Sequence, residues 1–262
     1  FQQIELTISP DRSWNGLENY SDLLQDPVLY ESIARTLYFA VLTIVGSTLM
    51  ALLLALLLNE PFRGRKPVRV LVMLPWAVAP VVTGVLWRYV FHPNYGLANA
   101  LLLQLGVIEH YIVWLDKAAL AISIASIATT WKTVPFLTLI MLATLQSIPE
   151  QLYRAARMDG ASFWRIYAQI IMPLSRPVVA TLGIFTFLGS WNDFLWPLIM
   201  ISSVDSKTLP LGLTMFQSQI PIKTPWQLVM AAATFSVLPV LIVFVLGQKY
   251  YVRGIATTGL KG

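Results

Sequence analysis

Tyr153-Arg154-Ala155-Ala156-Arg157-Met158-Asp159-Gly160-Ala161, closed by Ile170-Ile171-Met172-Pro173, is a polar and basic stretch between two long apolar segments. Lipid offers its charges no partners, so an island of this length must lie in water or against another protein. Ser147-x-x-Glu150 has capping-box spacing, and a helix is expected to start there. It should run to about Met158 and stop at Asp159-Gly160, where glycine can take the left-handed cap. Ser162 is placed to cap a second short helix that ends before Pro173. Ala155 and Ala156 keep one side of the first helix thin, and Arg154 and Arg157 flank it. Two readings fit: a rigid surface that docks a soluble partner, and an amphipathic helix lying on lipid headgroups.

Outside the island the composition is that of a membrane domain. The 262 residues are 56% hydrophobic and 12% charged, with a mean hydropathy of +0.67. Soluble domains carry about 25% charged residues, so the bilayer is the main solvent. The chain has no cysteine, which excludes disulfides and thiolate metal sites. Its net charge of +5 comes from basic residues in loops beside apolar spans, the pattern of membrane topology and not of nucleic-acid binding.

A spanning helix needs about 20 mostly apolar residues. Five segments qualify: about Ile33 to Leu58, Val68 to Phe91, Leu120 to Leu145, Val178 to Ile201, and Leu228 to Leu246. Pro75, Pro80, Pro135, Pro197 and Pro239 fall inside them and are expected to kink the spans without breaking them. Arg63, Arg65, Lys66 and Arg69, then Arg154, Arg157, Arg165 and Arg176, then Lys249, Arg253 and Lys261 define one basic side. By the positive-inside rule that side is cytoplasmic. Residues 1–30, 92–119 and 202–227 are then external, and the C-terminus is internal. An external N-terminus calls for an upstream helix missing from this chain, so six spans are expected in the intact protein. The expected organisation is a polytopic all-α bundle over 31–262, preceded by an external segment 1–30 and carrying the polar loop 147–173.

The island also resembles a known motif. An alanine pair, three residues, a glycine, nine residues, an isoleucine and a proline three positions later is the spacing of the EAA loop. That loop marks permease subunits of binding-protein-dependent ATP-binding-cassette importers. Here it comprises Ala155-Ala156, Gly160, Ile170 and Pro173; Arg154 stands where the family usually has Glu, and Met172 where it usually has Leu. Gly16-Leu17-Glu18-Asn19-Tyr20, Leu74-Pro75-Trp76, Gln146-Ser147-Ile148-Pro149-Glu150 and Ser190-Trp191-Asn192-Asp193-Phe194-Leu195-Trp196-Pro197-Leu198 resemble the maltose/glycerol-phosphate type of sugar permease. The tail Tyr251-Val252-Arg253-Gly254 resembles the second of the paired permeases, and Asn94-Tyr95-Gly96-Leu97 the first.

The resemblance implies a type I importer fold in a bacterial or archaeal cytoplasmic membrane. Its partners would be a second permease, two ATPase subunits, an extracytoplasmic solute-binding protein and a sugar, within membrane lipid. Arg154, Ala155, Ala156, Asp159, Gly160, Ala161, Ile170 and Pro173 would couple the chain to an ATPase. No cofactor is expected on this chain, and ATP and Mg would sit on the ATPases. The sequence contains no G-x-x-x-x-G-K-[ST] loop, so the chain is read as a non-enzyme whose energy comes from a partner.

A substrate path needs polar groups that lipid would otherwise exclude. Thr129, Trp131, Lys132 and Thr133 lie in the third span, and Ser190, Trp191, Asn192 and Asp193 in the fourth. Intramembrane Lys and Asp default to functional candidates with a partner, and Lys132 is matched with Asp193. A helix–helix hydrogen-bond network is the competing reading. Trp131, Trp191 and Asn192 suit a sugar, since a ring packs on its apolar face and an amide bonds its hydroxyls. His92 and His110 have no ligand cluster beside them, and no metal site is expected. The external segments around Asn94-Tyr95-Gly96 and Pro221-Ile222-Lys223-Thr224-Pro225-Trp226 are either part of a binding-protein dock or plain connections. The alternative function is a secondary, ion-coupled transporter without an ATPase; it would want more intramembrane carboxylates than Asp193 and an internal inverted repeat.

Overall fold

Asp26-Pro27 opens the first long helix in the way physical chemistry favours. Asp26 Oδ1 accepts the Val28 N–H at 2.8 Å, and Pro27 takes the first helical position, where a missing N–H costs nothing. The computed structural model describes residues 2–3, 13–14, 16–201, 206–216 and 226–259. A two-residue antiparallel pair, β1 (Gln2–Gln3) on β2 (Ser13–Trp14), has Gln2 opposite Trp14. The helices follow: α1 (Glu18–Gln25), α2 (Pro27–Asn59), α3 (Arg65–Ala77), α4 (Pro80–Val90), α5 (Leu97–Gln104) and α6 (Ala118–Ser147). Then come α7 (Glu150–Met158), α8 (Phe163–Ile166), a π-helical turn (Tyr167–Ile171), α9 (Met172–Trp191), α10 (Leu195–Met200), α11 (Leu209–Gly212) with a 3-10 turn (Leu213–Phe216), and α12 (Trp226–Gly259).

Among the described residues, four helical segments are long and apolar enough to cross a membrane: Pro27–Asn59, Ala118–Ser147, Tyr167–Trp191 and Trp226–Gln248. The pair α3 and α4 makes a fifth span if the two are counted together. Two expectations are corrected here. The second span is broken at Val78-Ala79, because Pro80 forces its predecessor out of helical geometry and starts a new helix. The fourth begins at Tyr167 and ends at Trp191, and Pro197 lies in the first turn of the separate α10. Pro75, Pro135 and Pro239 do lie inside helices.

The chain divides into two compact units. The first comprises Phe1–Val41, Pro80–Ser126 and Leu188–Val243. Within it the fully buried Thr36 donates to the Ser32 carbonyl and accepts the Leu209 N–H, each at 2.7 Å, which ties α11 to α2. Gly84 lets α4 approach α10 closely, since a Cβ there would lie 2.8 Å from Ile199 Cδ1. Small residues at crossings serve this purpose in lipid, where close packing replaces the hydrophobic drive between helices.

The second unit comprises Leu42–Ala79, Ile127–Phe187 and Phe244–Gly262. Its core joins Ala51, Leu52, Ala55 and Leu58 of α2 to Leu137, Met141, Leu142 and Leu145 of α6, with Ile148, Ile166, Ile171 and Leu182. Several hydroxyls in the long helices are satisfied within their own helix. Thr138, Thr144, Thr181 and Thr186 each donate to the carbonyl four residues back, at 2.7–2.9 Å. Internal satisfaction of this kind is what a bilayer demands.

Candidate functional site

The polar island folds as a helix, a left-handed turn and a second helix, all within the second unit. α7 ends in a complete Schellman closure. The Ala161 N–H reaches the Ala156 carbonyl at 2.9 Å and the Gly160 N–H the Arg157 carbonyl at 3.0 Å, around Gly160 at φ +73°. One face of α7 is anchored, with Tyr153 and Ala156, joined by Ala161, Tyr167 and Ile170, packing on the core of the unit. Burial, and then the charge of Glu60, hold the Tyr153 hydroxyl above the usual phenol range, so it stays protonated. The opposite face is open. Leu152 is 42% and Met158 88% exposed, with Ala155 exposed between them. Asp159 and Gly160 lie at the exposed turn.

Two local expectations fail. Ser147 ends α6 and donates to the Thr144 carbonyl at 2.8 Å, so it caps nothing; Pro149 occupies the N-cap of α7. Glu150 pairs with Arg154 at 3.0 Å on the exposed surface, where such a pair contributes little. The second helix does not end before Pro173. It runs from α8 through the π turn, where the Met172 N–H reaches back to Tyr167, into α9. Pro173 lacks an N–H and crowds the carbonyl four residues back, and it follows directly on this widened turn. Ile170 sits half-buried in the turn itself.

The structure distributes the predicted path residues between the two units. Thr129, Trp131, Lys132 and Thr133 belong to the second, and Ser190, Trp191, Asn192 and Asp193 to the first. Lys132 Nζ donates to the carbonyls of Pro75, Trp76 and Val78. These are the carbonyls that the end of α3 leaves without helical partners, and a cation there complements the helix dipole. Asp193 does the converse. Its Oδ1 accepts the Trp196 N–H at 3.2 Å, at the positive end of α10. Each of the two charges thus meets backbone groups at a helix end of its own unit. Trp191 is fully buried and donates Nε1 to the Ser236 carbonyl at 2.9 Å, in the turn of α12 that Pro239 disturbs. Thr129 and Ser190 are buried, Thr133 is half-buried, Trp131 is 37% exposed, and Asn192 is exposed with Nδ2 on the Leu188 carbonyl.

Sequence reasoning missed Asn99. Fully buried, it donates to the carbonyls of Pro93 and Ile112 and accepts the Ile112 N–H and the Trp114 indole N–H, at 2.8–3.1 Å. That is the full capacity of an amide side chain, and it pins the segment 93–114. The detectable signal was a lone Asn in the apolar run Leu97-Ala98-Asn99-Ala100-Leu101. Gly96 beside it is required by close approach, since a Cβ would collide with the His92 carbonyl oxygen. His92 is stacked on Tyr95, with ring centroids 3.5 Å apart. Residues 221–225 of the other expected external dock lie outside the described residues.

Long apolar helices that satisfy their own polar groups define a multi-span membrane protein. The chain belongs to the family of binding-protein-dependent transport system inner membrane components, whose model matches residues 32–257. It is 37% identical over 175 residues to the trehalose/maltose transport system permease protein MalF of Thermococcus litoralis, covering 67% of this chain and 59% of that one. It is 34% identical over 200 residues to the sulfoquinovosyl glycerol transport system permease protein SmoG of Agrobacterium fabrum, covering 76% of this chain and 64% of that one. The chain thus spans less than two thirds of the length of these two curated relatives. Among solved structures, a bacterial ABC transporter that imports the acidic polysaccharide alginate matches with a TM-score of 0.79 at 23% identity, over 92% of this chain and 84% of that one. That likeness establishes the type I permease fold.

Proposed function

We propose that this chain is the permease subunit of an ATP-driven sugar importer. It would form the translocation path with a second, different permease and receive its sugar from an extracytoplasmic binding protein. The loop 147–173 would seat in a cleft of an ATPase subunit on the cytoplasmic side, through Arg154, Ala155, Ala156, Asp159, Gly160 and Ala161, with Ile170 and Pro173 forming its base. The observation that carries this reading is the two-sided α7. Tyr153 and Ala156 fix it to the core, the Schellman closure sets its end, and Leu152, Ala155 and Met158 stand exposed together. A helix resting on headgroups needs no such rigid closure; a helix that transmits a push does. The names of the trehalose/maltose and sulfoquinovosyl glycerol relatives support a carbohydrate substrate.

For the path, we infer a division of labour among the candidates. Trp131 and Asn192 keep exposed surface to offer a sugar, whereas Lys132, Asp193 and Trp191 hold the helices that present them. The test of the whole reading is reconstitution. The permease should co-purify with a nucleotide-hydrolysing subunit, and sugar uptake into proteoliposomes should require ATP. Uptake by the chain alone, driven by an ion gradient without ATP, would instead establish the secondary transporter.

A further inference from the structure

Arg65 and Arg69 lie one turn apart at the start of α3, and their guanidiniums converge on a single neutral oxygen. With its amide facing them, Gln146 of α6 accepts Arg69 Nη2 at 3.2 Å and Arg65 Nη2 at 3.3 Å. Arg65 Nε is taken by the Leu58 carbonyl at 2.6 Å, while Arg69 Nε is buried without an acceptor. The ion pairs among the described residues are Arg35–Glu31 and Arg154–Glu150, so neither of these arginines has a carboxylate. Like charges one turn apart repel, and a shared amide oxygen neutralises neither. Paired guanidiniums are suited to bind a phosphate group through two or more charge-assisted hydrogen bonds. Beyond Arg69 the helix is apolar, and its Val70, Leu71 and Leu74 are 64%, 62% and 54% exposed.

We propose that Arg65 and Arg69 hold the headgroup phosphate of an anionic phospholipid whose acyl chain lies along Val70, Leu71 and Leu74. The arginines alone would accept any phosphate, and the adjoining apolar face selects the lipid. Basic clusters at the ends of membrane helices recognise anionic headgroups in this way.

Native mass spectrometry of the full-length permease, in the assembly in which it leaves the membrane, tests this. Phosphatidylglycerol should bind roughly tenfold more tightly than phosphatidylcholine, and inorganic phosphate should not compete. Arg65→Gln with Arg69→Gln should erase the preference, and a charge-matched control, Arg63→Gln with Arg176→Gln, should keep it. Because Arg65 also supports the end of α2, Gln146→Glu provides a second arm. It supplies the missing carboxylate internally, so the variant should unfold at the same or a higher temperature and lose the phosphatidylglycerol preference. The proposal is overturned by a preference unchanged in Gln146→Glu, by equal loss in the charge-matched control, or by displacement with inorganic phosphate. Loss of a protein subunit with lipid binding unchanged would also overturn it and reassign the arginines to a partner.

Discussion

Lys132 directs an ammonium at three backbone carbonyls where α3 stops, and Asp193 directs a carboxylate at an N–H where α10 starts. Both charges thus follow the sign of the helix ends they serve. Lys132→Met should destabilise the protein by about 1–3 kcal/mol, the cost of leaving buried acceptors without donors. Because each charge serves backbone groups of its own unit, the effects of Lys132→Met and Asp193→Asn should add in a thermal-unfolding cycle. A double variant as stable as the worse single one would restore the ion pair. The sequence marked both residues as out of place in lipid but not what they touch. The carbonyls that Lys132 serves exist only because Pro80 breaks the second span, and a break was legible there only as a kink. Asn99 was missed for a related reason: four partners spread over residues 93–114 leave no local pattern. Asn99→Leu should cost about 2–4 kcal/mol by thermal unfolding, since it orphans several groups at once.

At the scale of elements, the loop 147–173 was the most legible part of the chain. Glycine at a left-handed cap and a thin alanine side are encoded locally, and α7 ends where the residues said it would. What was not legible was its start and its continuation. Ser147 prefers the carbonyl of its own helix to a cap, and the π turn sits against a core that includes Ile166 and Ile171, assembled from segments far apart in sequence. Gly160 gives the sharpest element-scale prediction. Proline cannot adopt a φ of +73°, and it removes the N–H that closes on Arg157. Gly160→Pro should therefore assemble in the membrane yet lose sugar-stimulated ATP hydrolysis in proteoliposomes. Gly160→Ala should be milder, about 1–2 kcal/mol of local strain, with hydrolysis reduced and retained. Wild-type stimulation in the proline variant would detach the loop from the mechanism.

For the whole molecule, the apolar spans announced the membrane, since that is a property of composition that survives any detail of packing. The division into two units, and the allotment of the path candidates between them, depends on contacts between residues far apart in sequence and left no trace in local patterns. In the proposed mechanism, the exposed face of α7 is gripped by an ATPase on the cytoplasmic side. The chain has no cysteine, so Met158→Cys provides a unique reactive handle on that face. The most direct measurement is thiol-specific cross-linking from this position in inside-out membrane vesicles that contain the complete importer. The account predicts a covalent adduct with the nucleotide-hydrolysing subunit whose yield changes when ATP is added. Labelling from the external side alone, or adducts with lipid and no protein, would contradict it.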